Sequence, residues 1–107
     1  MGYHADWNGS ITFKTMPDEE HMKALHEELC QTHINGPTVY YSGYARYHAE
    51  DIDAVLESVA PSTESGEIYF TGDDGAHWRL VFKDDKWIEE EGYVIYESEL
   101  PEGYEKN

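Results

Sequence analysis

The chain has 107 residues with 7 basic and 23 acidic side chains, a formal charge of −16. That balance excludes nonspecific nucleic-acid and anionic-membrane binders, which work by neutralising phosphates with lysine and arginine. Three tryptophans, nine tyrosines and three phenylalanines exclude a disordered acidic chain, and the length allows one modest core but not two.

The N-terminus, Met1-Gly2-Tyr3-His4-Ala5-Asp6-Trp7, has no positive leader region, and no later apolar run approaches membrane-spanning length. Asp6 stands where a myristoylation signal requires serine or threonine. The single cysteine, Cys30, permits no internal disulfide and fits a reducing compartment, so a soluble cytoplasmic protein is expected.

Ser10 to Thr15 alternates with Ile11 and Phe13 on one side, which predicts a short strand preceded by Asn8-Gly9. Pro17 followed by Asp18, Glu19 and Glu20 opens a helix, because proline costs nothing at the first helical position and carboxylates suit the positive end of the dipole. Met22, Leu25 and Leu29 form its apolar stripe, and Asn35-Gly36-Pro37 ends it at the latest. Thr38 to His48 is rich in tyrosine and β-branched residues and predicts a strand, with Ser42-Gly43 marking a bulge or a close backbone approach. Ile52, Val55, Leu56 and Val59 predict a second helix over Ala49 to Ala60, stopped by Pro61, and Ser62 to Ser65 is a polar connection.

Residues 66–97 predict an antiparallel meander. Ile68 and Phe70, then Trp78, Leu80 and Phe82, repeat with period two, and Gly72-Asp73-Asp74-Gly75 and Asp84-Asp85 punctuate the runs as hairpin turns. Glu67, His77, Arg79 and Lys83 fall on the opposite, solvated face. A regular last strand with Ile88, Val94 and Tyr96 inward turns Glu90 inward as well, and a buried unpaired carboxylate is costly. An edge or bulged strand, reset near Gly92, is therefore expected. The sum is one α+β domain over residues 1–107, an antiparallel sheet of about five strands with two helices on one face in the order β-α-β-α-β-β-β, with 101–107 a loose tail.

Catalytic signatures are missing: there is no glycine-rich phosphate loop, His-Glu-x-x-His or Gly-x-Ser-x-Gly. His48 with Glu50 and Asp51, or His77 with Asp73 and Asp74, are neighbours in sequence without being a site, and the chain is read as a binding protein rather than an enzyme. His26, Cys30 and His33 recur at helical spacing and offer a metal N, S and N donors, but a small buried cysteine beside Leu29 and Met22 explains the stripe as well; no metal and no cofactor is expected. Asp73-Asp74-Gly75 lacks the succession of oxygens that a calcium loop needs.

The acidity is spread over the body: residues 1–63 carry 3 basic and 10 acidic groups, and residues 64–107 carry 4 and 13. A field of this size suits a basic partner. The residues expected to meet it are the carboxylates Asp73, Asp74, Asp84, Asp85, Glu89, Glu90 and Glu91, joined by the tyrosines Tyr40, Tyr41, Tyr44 and Tyr47. Period two sends Tyr40 and Tyr41 to opposite faces, so at least one outward tyrosine is expected to serve an interface.

In size, charge, lack of catalytic motifs and the acidic, aromatic-bearing stretch of residues 66–97, the chain resembles small, strongly acidic phage or mobile-element proteins that inhibit host defence systems, among them DNA-mimicking and anti-CRISPR proteins. That resemblance implies a basic host protein, such as a nucleic-acid-binding effector, inhibited by occupation of its nucleic-acid channel, with no direct contact to nucleic acid or membrane and with self-association left open. The alternative is a non-enzymatic structural, immunity or small-ligand module whose acidity serves solubility.

Overall fold

A computed structural model describes residues 3–92. Within them the chain runs β1 (His4–Phe13), α1 (Glu19–Leu29), β2 (Gln31–Asn35), β3 (Thr38–Arg46), α2 (Ala49–Val59), a 3-10 turn (Ala60–Ser62), β4 (Thr63–Gly72), β5 (His77–Lys83) and β6 (Lys86–Gly92). The described strands form one antiparallel sheet in the order β2-β3-β1-β4-β5-β6. The α+β class and the two helices agree with expectation, but six strands replace about five and the element order is β-α-β-β-α-β-β-β.

The added strand is β2. Helix α1 starts later than expected, with Pro17 outside it and Asp18 as the cap, its carboxylate accepting the His21 amide, and stops sooner because Cys30 turns to φ 59 in the left-handed region. Asn35-Gly36-Pro37 is then a hairpin turn instead of a helix stop. Asn35 pairs with Thr38, and Gly36 at φ 63 opens the two-residue loop where glycine adopts positive φ without strain.

Two other boundaries move. Asn8-Gly9 lies inside β1, which pairs continuously with β3 from His4 to Thr12, and residues 63–65 belong to β4 instead of a connection. At Ser42-Gly43 the pairing carries no shift, so the glycine marks a close approach: a Cβ on Gly43 would stand 2.8 Å from Trp7 Cζ2 and 3.0 Å from Cys30 Sγ.

Both helices cover one face of the sheet. Trp7, Ile11 and Phe13 from β1, Ile68 and Phe70 from β4 and Leu80 from β5 meet Met22, Leu25 and Leu29 of α1 and Ile52, Leu56 and Val59 of α2 in one core. Burying each large apolar side chain contributes about 1.5–3 kcal/mol, which decides the face each element turns inward. Two buried polar groups are satisfied by helix ends: Trp7 Nε1 donates to the Leu29 carbonyl at 2.8 Å, and Thr63 Oγ1 donates to the Val59 carbonyl at 2.8 Å.

Among the described strands β6 is at the edge, as expected, and it pairs with β5 without interruption from Lys86 to Gly92. Its inward side is the reverse of the expected one. Phe82 faces Trp87, Leu80 faces Glu89 and Trp78 faces Glu91, while Ile88 and Glu90 lie on the open face opposite Val81 and Arg79. Trp87 is the residue that packs on the core, and Glu90 escapes burial through Arg79, whose guanidinium approaches it at 2.6 Å. Val94, Tyr96 and the tail 101–107 lie outside the described residues.

The β5–β6 turn gives a direct test of turn chemistry. Asp84 and Asp85 sit at φ 52 and 63, the two positive-φ positions of a primed hairpin turn, which Asn-Gly satisfies with less strain. The Asp84→Asn, Asp85→Gly variant should melt roughly 2–4 °C higher by circular dichroism. An unchanged or lower melting temperature would show that the aspartates are needed there for something other than backbone geometry.

Candidate functional site

One group of carboxylates and aromatic side chains gathers where α2 meets the β5–β6 edge. Period two along β6 puts Trp87, Glu89 and Glu91 on the helix side, and helical spacing places Asp53 and Glu57 one turn apart on α2. Along β6 lies a groove of two depressions that share Glu89, of which only the second is lined by α2. The one nearer the β4–β5 turn has a cavity volume of about 560 Å³ and is lined by Tyr47, Trp78, His77, Glu89 and Glu91 with Gly75, Ala76 and Gly92. The other, about 460 Å³, is lined by Asp53, Glu57, Ala60, Leu80, Asp85, Lys86, Trp87 and Glu89.

The groove has a fixed aromatic floor. Trp78 lies parallel to Phe70, with ring centroids 5.4 Å apart and planes within 2°, and Tyr47 meets both rings edge-on. Trp78 Nε1 donates to the Tyr47 hydroxyl at 3.3 Å, so the indole is held in both tilt and rotation. Trp87 covers Gly66, where a Cβ would come within 2.6 Å of its ring, and sets its edge against Phe82 at 5.5 Å.

The electrostatics of the groove are those of crowded carboxylates. Five of them, Asp53, Glu57, Asp85, Glu89 and Glu91, line it with one lysine, Lys86. Partial burial raises the Asp53 carboxyl above its usual range, and the charge of Glu57 adds to the shift. Burial likewise raises the Tyr47 phenol; its hydrogen bond from Trp78 opposes the shift, and the negative charges of Glu89 and Asp53 add to it. A group that supplies positive charge beside Asp53 relieves the repulsion from Glu57.

The expected contact residues are divided among several places. Glu89, Glu91, Asp85 and Tyr47 line the groove, whereas Glu90 sits on the open sheet face with Arg79, which also lies 3.6 Å from Glu67. Asp84 shares the β5–β6 turn with Asp85, at the opposite end of β5 from Asp73 and Asp74. Asp73 and Asp74 are engaged in holding the molecule together: Tyr44 donates to Asp73 at 3.0 Å, and Tyr3 donates to Asp74 at 2.6 Å. That bond holds the Tyr3 phenol up at about 12 and the Asp74 carboxyl below its ordinary range.

Among the tyrosines, Tyr41 is 1% exposed and belongs to the core, which withdraws it from any contact surface. Tyr40 and Tyr44 decorate the open face, Tyr40 stacked on His33 at 4.3 Å and Tyr44 on His4 at 5.6 Å. His26, Cys30 and His33 do not share a helical face, since Cys30 lies past the helix and His33 lies on β2. Among the described residues no group of three or more His, Cys, Asp and Glu side chains is placed to hold a metal ion, and no helix is long and apolar enough to cross a membrane.

Asp53, Glu57, Trp78 and Trp87 are the groove residues that sequence reasoning did not assign to function. A signal for them was present: Glu89 and Glu91 share the parity of Trp87, and Asp53 and Glu57 are spaced i, i+4. What the sequence lacks is the packing of α2 beside β6, which brings the two sets together. No family model, curated protein or solved structure matches the chain.

Proposed function

We propose that this chain is a binding protein that takes a basic segment of a partner protein into the groove between α2 and β6. The observation that carries this reading is the combination, in two depressions that adjoin at Glu89, of five carboxylates and one lysine with Trp78, Tyr47 and Trp87. Carboxylates elsewhere are dispersed over α1, the strands and the turns, as solubility alone would have them. In the groove they stand, still exposed, beside apolar surface, so a cationic side chain meets charge for its head and rings for its stem. The resemblance to acidic inhibitors of host defence adds a direction: the partner is a nucleic-acid-binding effector, and seating its basic segment here blocks its channel.

An arginine-rich peptide provides the test, titrated at low and at physiological salt. Three exposed ion pairs contribute roughly 0.5–1 kcal/mol each. The triple variant Asp53→Asn, Glu57→Gln, Glu89→Gln should therefore bind about tenfold to a hundredfold more weakly and with a flatter salt dependence. A control with the same change in net charge, Glu20→Gln, Glu27→Gln, Glu64→Gln, removes carboxylates outside the groove and should keep most of the affinity. Equal losses in the two variants would mean that the peptide senses only overall charge, and would leave acidity as a solubility device.

A further inference from the structure

The end of the groove nearer the β4–β5 turn has a geometry more specific than negative charge. Phe70, Trp78 and Glu91 are consecutive cross-strand neighbours on the helix side of β4, β5 and β6. Phe70 occupies one face of the indole in parallel contact, and Tyr47 locks the ring through the Nε1 hydrogen bond. On the β6 side of Trp78, Glu91 is the cross-strand neighbour and Glu89 the next residue of the same parity, and all three line one cavity. No lysine or arginine of the described residues lines this cavity. The arginine nearest in sequence, Arg79, is on the opposite sheet face with Glu90 and Glu67.

We propose that this end of the groove seats one arginine side chain of the partner, its guanidinium flat on Trp78 and paired with the carboxylate of Glu89. The inference rests on the proposed function and deepens it by naming the side chain that is read. Charge complementarity selects a cation, and the shape of the wall selects among cations. A planar, weakly hydrated guanidinium stacks on an indole while its edge donates to a carboxylate; a compact ammonium keeps its water and makes one contact at a time. The cavity, about 560 Å³, holds the arginine stem as well as its head group.

Oligo-arginine and oligo-lysine peptides of equal length and charge separate this seat from the general field of the groove. The wild type should bind the arginine peptide about tenfold more tightly, with a change in tryptophan fluorescence on binding. Trp78→Leu should reduce the preference to about twofold or less while retaining charge-driven binding of both peptides. Trp78→Phe, which keeps a ring on Phe70 and guards against a folding defect in the leucine variant, should retain an intermediate preference. Glu89→Gln should weaken both peptides, arginine more. Equal affinities in the wild type, or a preference that survives Trp78→Leu in a folded protein, would overturn the arginine seat and leave the acidic groove standing. Failure of the wild type to bind either peptide would overturn both readings.

Discussion

Gly9→Ala should be among the most destabilising single substitutions in the chain. Gly9 sits in the middle of β1, the third of the six described strands, directly paired with Tyr41 on one side and Ile68 on the other. A Cβ there would stand 2.1 Å from the Glu67 carbonyl oxygen and 2.6 Å from the Ile68 Cα, both backbone atoms of β4. A side chain could rotate away, but a paired strand cannot, so the methyl must push β4 off β1 and break the ladder at the centre of the core. Overpacking costs about 1–3 kcal/mol where neighbours adjust, and the cost here lies at or beyond the top of that range. For a domain of this size 3 kcal/mol corresponds to a melting temperature lower by roughly 12 °C or more. Asn8→Ala, one residue away on the open face, should change it by no more than a few degrees. A Gly9→Ala protein that melts like the wild type would mean that β1 and β4 do not approach as closely as described.

The same glycine shows why part of the fold was hidden in the sequence. Asn8-Gly9 has the composition of a turn, and without the neighbouring strand nothing tells a turn glycine from one that permits close approach. Strand β2 escaped notice for a related reason. It lies at the edge, its residues from Thr32 to Asn35 are exposed, and it buries too little to impose a period of two, while His26, Cys30 and His33 continue an apparent helical spacing. Elements that bury a face were legible: the Met22, Leu25 and Leu29 stripe, the Ile52, Leu56 and Val59 stripe, and the alternation of Ile68 and Phe70 with Trp78 and Leu80.

The candidate site divides in the same way. Parity along a strand is local information, so it was legible that Glu89 and Glu91 share a side and that Tyr40 and Tyr41 do not. The choice of inward side for β6 was not. Ile88 looked like the inward residue by hydropathy, but Trp87 has more apolar surface to bury, and its register opposite Phe82 brings Glu89 and Glu91 to the helix side. The meeting of β6 with α2 is a tertiary fact, which is why Asp53 and Glu57 carried no functional mark in the sequence.

Shortening Phe70 should damage stability and recognition together. Phe70 is 1% exposed, and it lies against Trp7 at 6.1 Å, Tyr47 at 5.5 Å and Trp78 at 5.4 Å between ring centroids. Phe70→Ala removes that shared support and leaves a cavity, at a cost of about 3–5 kcal/mol. That is a large fraction of the stability of an ordinary domain, so this variant should melt at least roughly 12 °C lower and serves only as the stability measurement. Phe70→Leu keeps most of the volume and should remain folded at room temperature, but it replaces a flat ring with a branched chain and frees the Trp78 indole to tilt. Its melting temperature should fall by a few degrees. If the indole presents a planar face to an arginine because Phe70 holds it there, the preference for oligo-arginine over oligo-lysine should shrink from about tenfold to roughly threefold in Phe70→Leu, with oligo-lysine affinity unchanged. Val39→Ala, a buried truncation in β3 outside the groove lining, should lower the melting temperature while leaving the peptide preference intact. A full arginine preference in folded Phe70→Leu would show that the orientation of Trp78 is set by the Tyr47 hydrogen bond alone, and an equal loss in Val39→Ala would show that the preference follows general stability instead of the stacked pair.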